Sequence, residues 1–123
     1  MKVGYLLFPC LIVIAAGCSS GKKAYEKGDY YGAVLKSITR LRQNPDHSKS
    51  QQTLQSAYPL ALEFFETQAN NEIPSNSPFK WKNAIQAYSQ INQMYEEIRQ
   101  CPGCLKVIKS PKNYYSEIAP LKE

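Results

Sequence analysis

The stretch 79–100, FKWKNAIQAYSQINQMYEEIRQ, decides the fold class. Trp81, Ala84, Ile85, Tyr88, Ile91, Tyr95 and Ile98 recur at intervals of three and four, which places them along one face of an α-helix. Ser77 and Pro78 stand just ahead of it. A serine there accepts from the first free amides, and proline is preset for the first helical position.

Two stretches upstream repeat the pattern. Between 30 and 42, Tyr31, Val34, Ile38 and Leu41 form one apolar stripe while Lys36, Arg40 and Arg42 take other faces. Gly28-Asp29 separates this helix from a short helical piece at 24–27, with Asp29 as its cap, and Asn44-Pro45 ends it. Asp46, His47 and Ser48 read as the next helix start. From 48 to 71, Leu54, Ala57, Tyr58, Ala61, Leu62, Phe65 and Ala69 keep helical phase across Pro59. That continuity predicts one kinked helix of roughly 20 residues, not two. Residues 70–77 read as a loop, and 112–119 as a last helix ended by Pro120. The chain reads as all-α. The last helix has no following partner in the sequence, so either it packs back on the others or the natural chain continues.

The start of the chain has a different character. After Met1-Lys2 comes an apolar run from 4 to 17, closing on Ala15-Ala16-Gly17-Cys18. A positive start, an apolar core and small residues before a cleavage point are the parts of a secretory signal. A membrane-spanning helix needs roughly 20 apolar residues, and this run is shorter and holds Pro9. The arrangement resembles the lipobox of bacterial lipoproteins, with Ala15 where leucine is more usual. That resemblance implies removal of residues 1–17, a diacylglyceryl group and an N-acyl chain on Cys18, a lipidated tether at 18–23 and a folded domain at 24–123. Ser19 after the cysteine resembles the pattern sorted to the outer membrane, which implies a lipid-anchored protein facing the periplasm. Lys22-Lys23 suit anionic head groups and a solvated helix start equally well.

A second resemblance lies in the helices. Gly28, Tyr30, Ala33 and Pro45 stand at the intervals of the second helix of a tetratricopeptide repeat, and Trp81, Ala84 and Tyr88 resemble the same series. Ser37 and Arg40 depart from it. Tyr30 to Trp81 and Ala33 to Ala84 are each 51 residues apart, against about 34 for that family. The resemblance implies tetratricopeptide-like antiparallel helical hairpins. A small up-down helical bundle is the alternative.

Removal of residues 1–17 from 123 leaves 106, enough for one domain with a small core. The formal net charge of +5 falls to +4 without Lys2, and its basic residues are spread among acidic ones. That distribution lacks the clustered footprint of a nucleic-acid binder. Cysteine usage carries more. Cys10 leaves with the leader and Cys18 takes the lipid, so Cys101 and Cys104 of C-P-G-C remain in an oxidising compartment. A local disulfide, a redox dithiol, half a zinc site and two free thiols all fit that spacing. A thioredoxin-type pair would open a helix after a strand, and structural zinc needs four ligands while the only histidine, His47, lies far off in sequence.

No phosphate loop and no nucleophile–base constellation appears. Glu63, Glu66, Glu96 and Glu97 on helical faces read as solubilising. The expected function is therefore non-enzymatic. We read a lipid-anchored scaffold that holds another envelope protein in a groove between helix pairs, with Tyr58, Phe65, Trp81 and Tyr88 as candidate groove residues; all four suit a core equally well. The alternative is a thiol-disulfide or metal-handling role for Cys101 and Cys104. No cofactor beyond the acyl chains on Cys18 is expected.

Overall fold

The computed structural model describes residues 21–122 as six helices with no strand among them. The signal segment 1–17, Cys18 and Ser19-Ser20 lie outside the described residues. Helix α1 is Lys22–Glu26, α2 Tyr30–Gln43, α3 Ser48–Glu72, α4 Lys80–Arg99, α5 Pro102–Leu105 and α6 Tyr115–Leu121. The long α3 packs against both α2 and α4, α1 lies on α2 and α3, and α6 lies on α4. Helix α2 also meets α4 directly, and α5 touches both. The helices thus close on one core as a small bundle, and no repeated helix pair is evident among the described residues.

Capping follows the local sequence. The Asp29 carboxylate accepts the Gly32 amide at 2.9 Å, opening α2, and Asn44 leaves helical geometry before Pro45. Ahead of α3 the cap is His47, whose Nδ1 accepts the Ser50 amide at 3.3 Å. Helix α3 runs unbroken through Pro59 for 25 residues, longer than expected. Its length follows from packing on both sides, with Leu54, Ala57, Tyr58, Ala61, Phe65 and Ala69 all buried.

Three boundaries depart from the sequence reading. Helix α4 starts at Lys80, because the Ser77 hydroxyl accepts the Phe79 amide within a preceding turn. Helix α6 starts at Tyr115, three residues later than expected, because tertiary partners take the amides of Lys112 and Tyr114. It then carries Pro120 inside its last turn. Helix α1 also starts early, at Lys22, two residues ahead of the helical piece expected at 24–27. Gly21 is buried and Lys22 and Lys23 already belong to α1.

The α2 stripe of Val34, Ile38 and Leu41 has essentially no exposed surface. Each such side chain contributes about 1.5–3 kcal/mol by leaving water. On α4 the buried face is Ala84, Ala87, Tyr88, Ile91, Asn92, Met94 and Ile98. Trp81 is not on it, for a reason given below.

Candidate interaction surface

Three of the four residues expected to line a groove are core. Tyr58, Phe65 and Tyr88 are 6 %, 8 % and 5 % exposed. The Phe65 ring meets Tyr31 edge-on at 5.3 Å, and Tyr88 stacks on Tyr114 at 4.4 Å. The hydroxyl of Tyr58 accepts the Lys112 amide at 2.9 Å, so its polar tip is used inside the fold. Trp81 differs, at 44 % exposed, with Lys80 Nζ 4.6 Å from its ring centre. It stands in the first turn of α4, where α3 is already ending: Asn83 Nδ2 donates to Glu72 on the last turn of α3 at 3.2 Å. Among the described residues Trp81 is left partly uncovered, and Phe79, two residues before it, is 62 % exposed.

A second exposed aromatic sits on the outer face of α3. Tyr30, Leu60, Glu63, Phe64, Thr67, Gln68 and Asn71 line an open groove of about 550 Å³, with Phe64 61 % exposed. Its tyrosine wall is braced from α1, because the Tyr25 ring lies 5.5 Å from that of Tyr30. Phe64 and Phe65 are adjacent in sequence, and a step of about 100° around the helix sends one inward and the other out. Leu60 and Phe64, four apart, made a short apolar pair out of phase with the core stripe. That pair is the signal the sequence carries for this face.

Residues 112–115 form a strap held to α3 and α4. The Tyr114 amide donates to Asn92 Oδ1 at 2.6 Å, and the Tyr114 hydroxyl and Lys112 Nζ both donate to Glu66. Burial pushes the Glu66 carboxyl up, but those two donors outweigh it and hold the group below its ordinary value. Tyr115 donates to Glu96 at 2.8 Å, and Arg99 also donates to Glu96. The Arg99 bond first, then that of Tyr115, holds the Glu96 carboxyl low. These glutamates therefore fasten a segment, where the sequence suggested only solubility. Glu97 pairs with Arg42 at 3.1 Å.

Cys101 and Cys104 are joined as a disulfide between α4 and α5. Both residues are fully buried, and Cys101 Sγ accepts the Cys104 amide at 3.2 Å as the cap of α5. Gly103 fits against the α2–α3 loop; a Cβ there would come within 2.9 Å of Pro45 Cα. Neither cysteine has exposed surface, and a closed disulfide presents no thiolate to a metal. Among the described residues no group of three or more His, Cys, Asp or Glu side chains is arranged to hold a metal ion.

Gly21 takes the left-handed conformation at φ 86°, and a Cβ on it would lie 2.6 Å from the Ala33 carbonyl oxygen. Its own carbonyl accepts the Tyr25 amide at 3.0 Å, so the chain is fixed from this residue onward. Among the described residues no helix is long and apolar enough to cross a membrane. No family model, no curated protein and no solved structure matches this chain.

Proposed function

We propose that the protein is a bacterial envelope lipoprotein, anchored at the outer membrane by acyl chains on Cys18 and facing the periplasm, and that it acts as a non-enzymatic scaffold for another envelope protein. The carrying observation is the apolar run that closes on Ala15-Ala16-Gly17-Cys18, followed within three residues by a fixed point of the fold at Gly21. A chain attached through two or three acyl groups stays on its membrane. Its work is then done within reach of that surface.

The partner contact in this reading is the turn between α3 and α4. Phe79 and Trp81, two residues apart, are large and exposed there, and aromatic anchors of this kind dominate binding at protein interfaces. Trp81 remains a partner-facing residue from the sequence reading. Tyr58, Phe65 and Tyr88 lie in the core.

Two measurements test the proposal. The mass of protein purified from membranes should correspond to a chain starting at Cys18 with added acyl chains; an unmodified chain starting at Met1 rejects the anchor. Photocrosslinkers placed at 79 and 81 in cells should capture one recurrent envelope protein. Capture of nothing there, with the protein abundant and folded, rejects the scaffold contact.

A further inference from the structure

We infer that the face built from α1, Tyr30 and Phe64 lies on the membrane itself, with a phospholipid surface as the occupant of the Tyr30–Phe64 groove. This rests on the lipid-anchor reading above and adds an orientation to it.

Reach is the first argument. Cys18 and Gly21 are three Cα steps apart, so the lipid-bearing residue lies at most about 11 Å from Gly21. Gly21 is not a loose end, since it is buried against Ala33 and Ser37 of α2. One α-helix with its side chains is about 10–12 Å across. The tether therefore cannot pass around α2 or α3 to put α4 or α6 on the bilayer. The side of the bundle that carries α1 must face the lipid.

Chemistry is the second. On that side the groove offers Leu60, Phe64 and the Tyr30 ring, and α1 presents Lys22, Lys23 and Lys27 to solvent. Glu26 in α1, Asp29 just after it and Glu63 in the groove oppose those lysines, so the apolar side chains carry much of the contact. An exposed phenylalanine and an amphipathic tyrosine flanked by lysines suit the boundary between head groups and acyl chains. Phe64 then has a reason to be exposed, since its face is covered by lipid in place of protein.

The test uses the full lipidated protein in vesicles of phosphatidylethanolamine and phosphatidylglycerol, with and without bromine on the acyl chains. Trp81 is the only tryptophan, so Trp81→Phe gives a silent background. Phe64→Trp and Thr67→Trp report from the groove, and Tyr115→Trp reports from the α6 side. Bromine should cut the emission of the two groove reporters roughly in half, as expected for side chains about 5–10 Å into the boundary region, and leave the reporter at 115 unchanged. Equal quenching at 64, 67 and 115, in protein whose mass carries the acyl chains, overturns the docked orientation and leaves the anchor standing. Groove reporters shielded from bromine yet buried in a self-associated protein overturn it in favour of a second copy. A mass without acyl chains overturns the anchor reading, and the orientation with it.

Discussion

Two glycines with the same backbone geometry allow a controlled test of how α1 is held. Gly21 and Gly28 have φ of +86° and +83°, both in the left-handed region. An alanine there costs about 1–2 kcal/mol in conformation alone. The surroundings differ. A Cβ at 28 meets nothing within 4 Å, whereas one at 21 lies 2.6 Å from the Ala33 carbonyl oxygen and 2.9 Å from Ser37 Oγ. The Ala33 oxygen belongs to the backbone of α2, so the contact is relieved only by moving α1. Overpacking of this kind adds about 1–3 kcal/mol.

Gly28→Ala should therefore cost about 1–2 kcal/mol, and Gly21→Ala that amount plus about 1–3 kcal/mol more. Helix α1 is short and buries only Ala24 fully, so Gly21→Ala is expected to act by releasing α1 before the rest of the bundle yields. The assay is hydrogen exchange. The amides of Tyr25 and Asp29, which bond to Gly21 and Ala24 carbonyls, should exchange roughly 5- to 150-fold faster in Gly21→Ala than in Gly28→Ala, the range that 1–3 kcal/mol spans. Equal exchange in the two variants would refute the claim that α1 is seated by a close approach at Gly21. It would also weaken the reach argument, which needs Gly21 to be fixed.

Other expectations follow from burial and charge. Phe65→Ala should destabilise by about 3–5 kcal/mol in a urea melt, whereas Phe64→Ala stays within about 0.5 kcal/mol in detergent, although the two are neighbours in sequence. With both cysteines fully buried, reductant should release no thiol to a labelling reagent until denaturant opens the bundle, and removing the disulfide should cost at most about 2 kcal/mol because its loop is so small. The Glu66 carboxyl lies below its ordinary value in the fold, so the unfolded chain binds more protons and stability drops as the pH is lowered. The strap's hold should persist above pH of about 4.3, the ordinary glutamate value, and be lost as pH falls through the lower folded value. Exchange at the Lys112 and Tyr114 amides reads it, and Glu66→Gln should flatten the dependence, leaving the shallower part due to Glu96.

Periodicity made the helices legible. The α2 stripe and the Asp29 cap were readable because both depend on residues within a turn of each other. What was not readable depended on where neighbours end. Trp81 lies on the apolar side of its helix by spacing, yet α3 finishes beside Asn83 and leaves it uncovered. Phe64 and Phe65 differ only by phase. The start of α6 could not be read either, because Lys112 and Tyr114 give their amides to Tyr58 and Asn92, 54 and 22 residues away. Tertiary partners of that kind override local propensity.

The tyrosines follow from the strap. Residues 112–115 lie on the α3–α4 pair at Tyr58, Glu66, Tyr88 and Asn92, and an irregular segment there must be packed against and its amides satisfied. Tyr58 meets both needs, since its ring fills the core while its hydroxyl accepts the Lys112 amide. Tyr88 supplies a flat ring for Tyr114 to stack on, and Tyr114 returns a hydroxyl to Glu66. Phenylalanine at 58 would keep the packing and leave the Lys112 amide without its acceptor, a loss of about 1–3 kcal/mol where that amide is shielded from water. Tyr58, Tyr88 and Tyr114 therefore belong to the closure of the bundle, whereas Phe79 and Trp81 at the α3–α4 turn stay exposed.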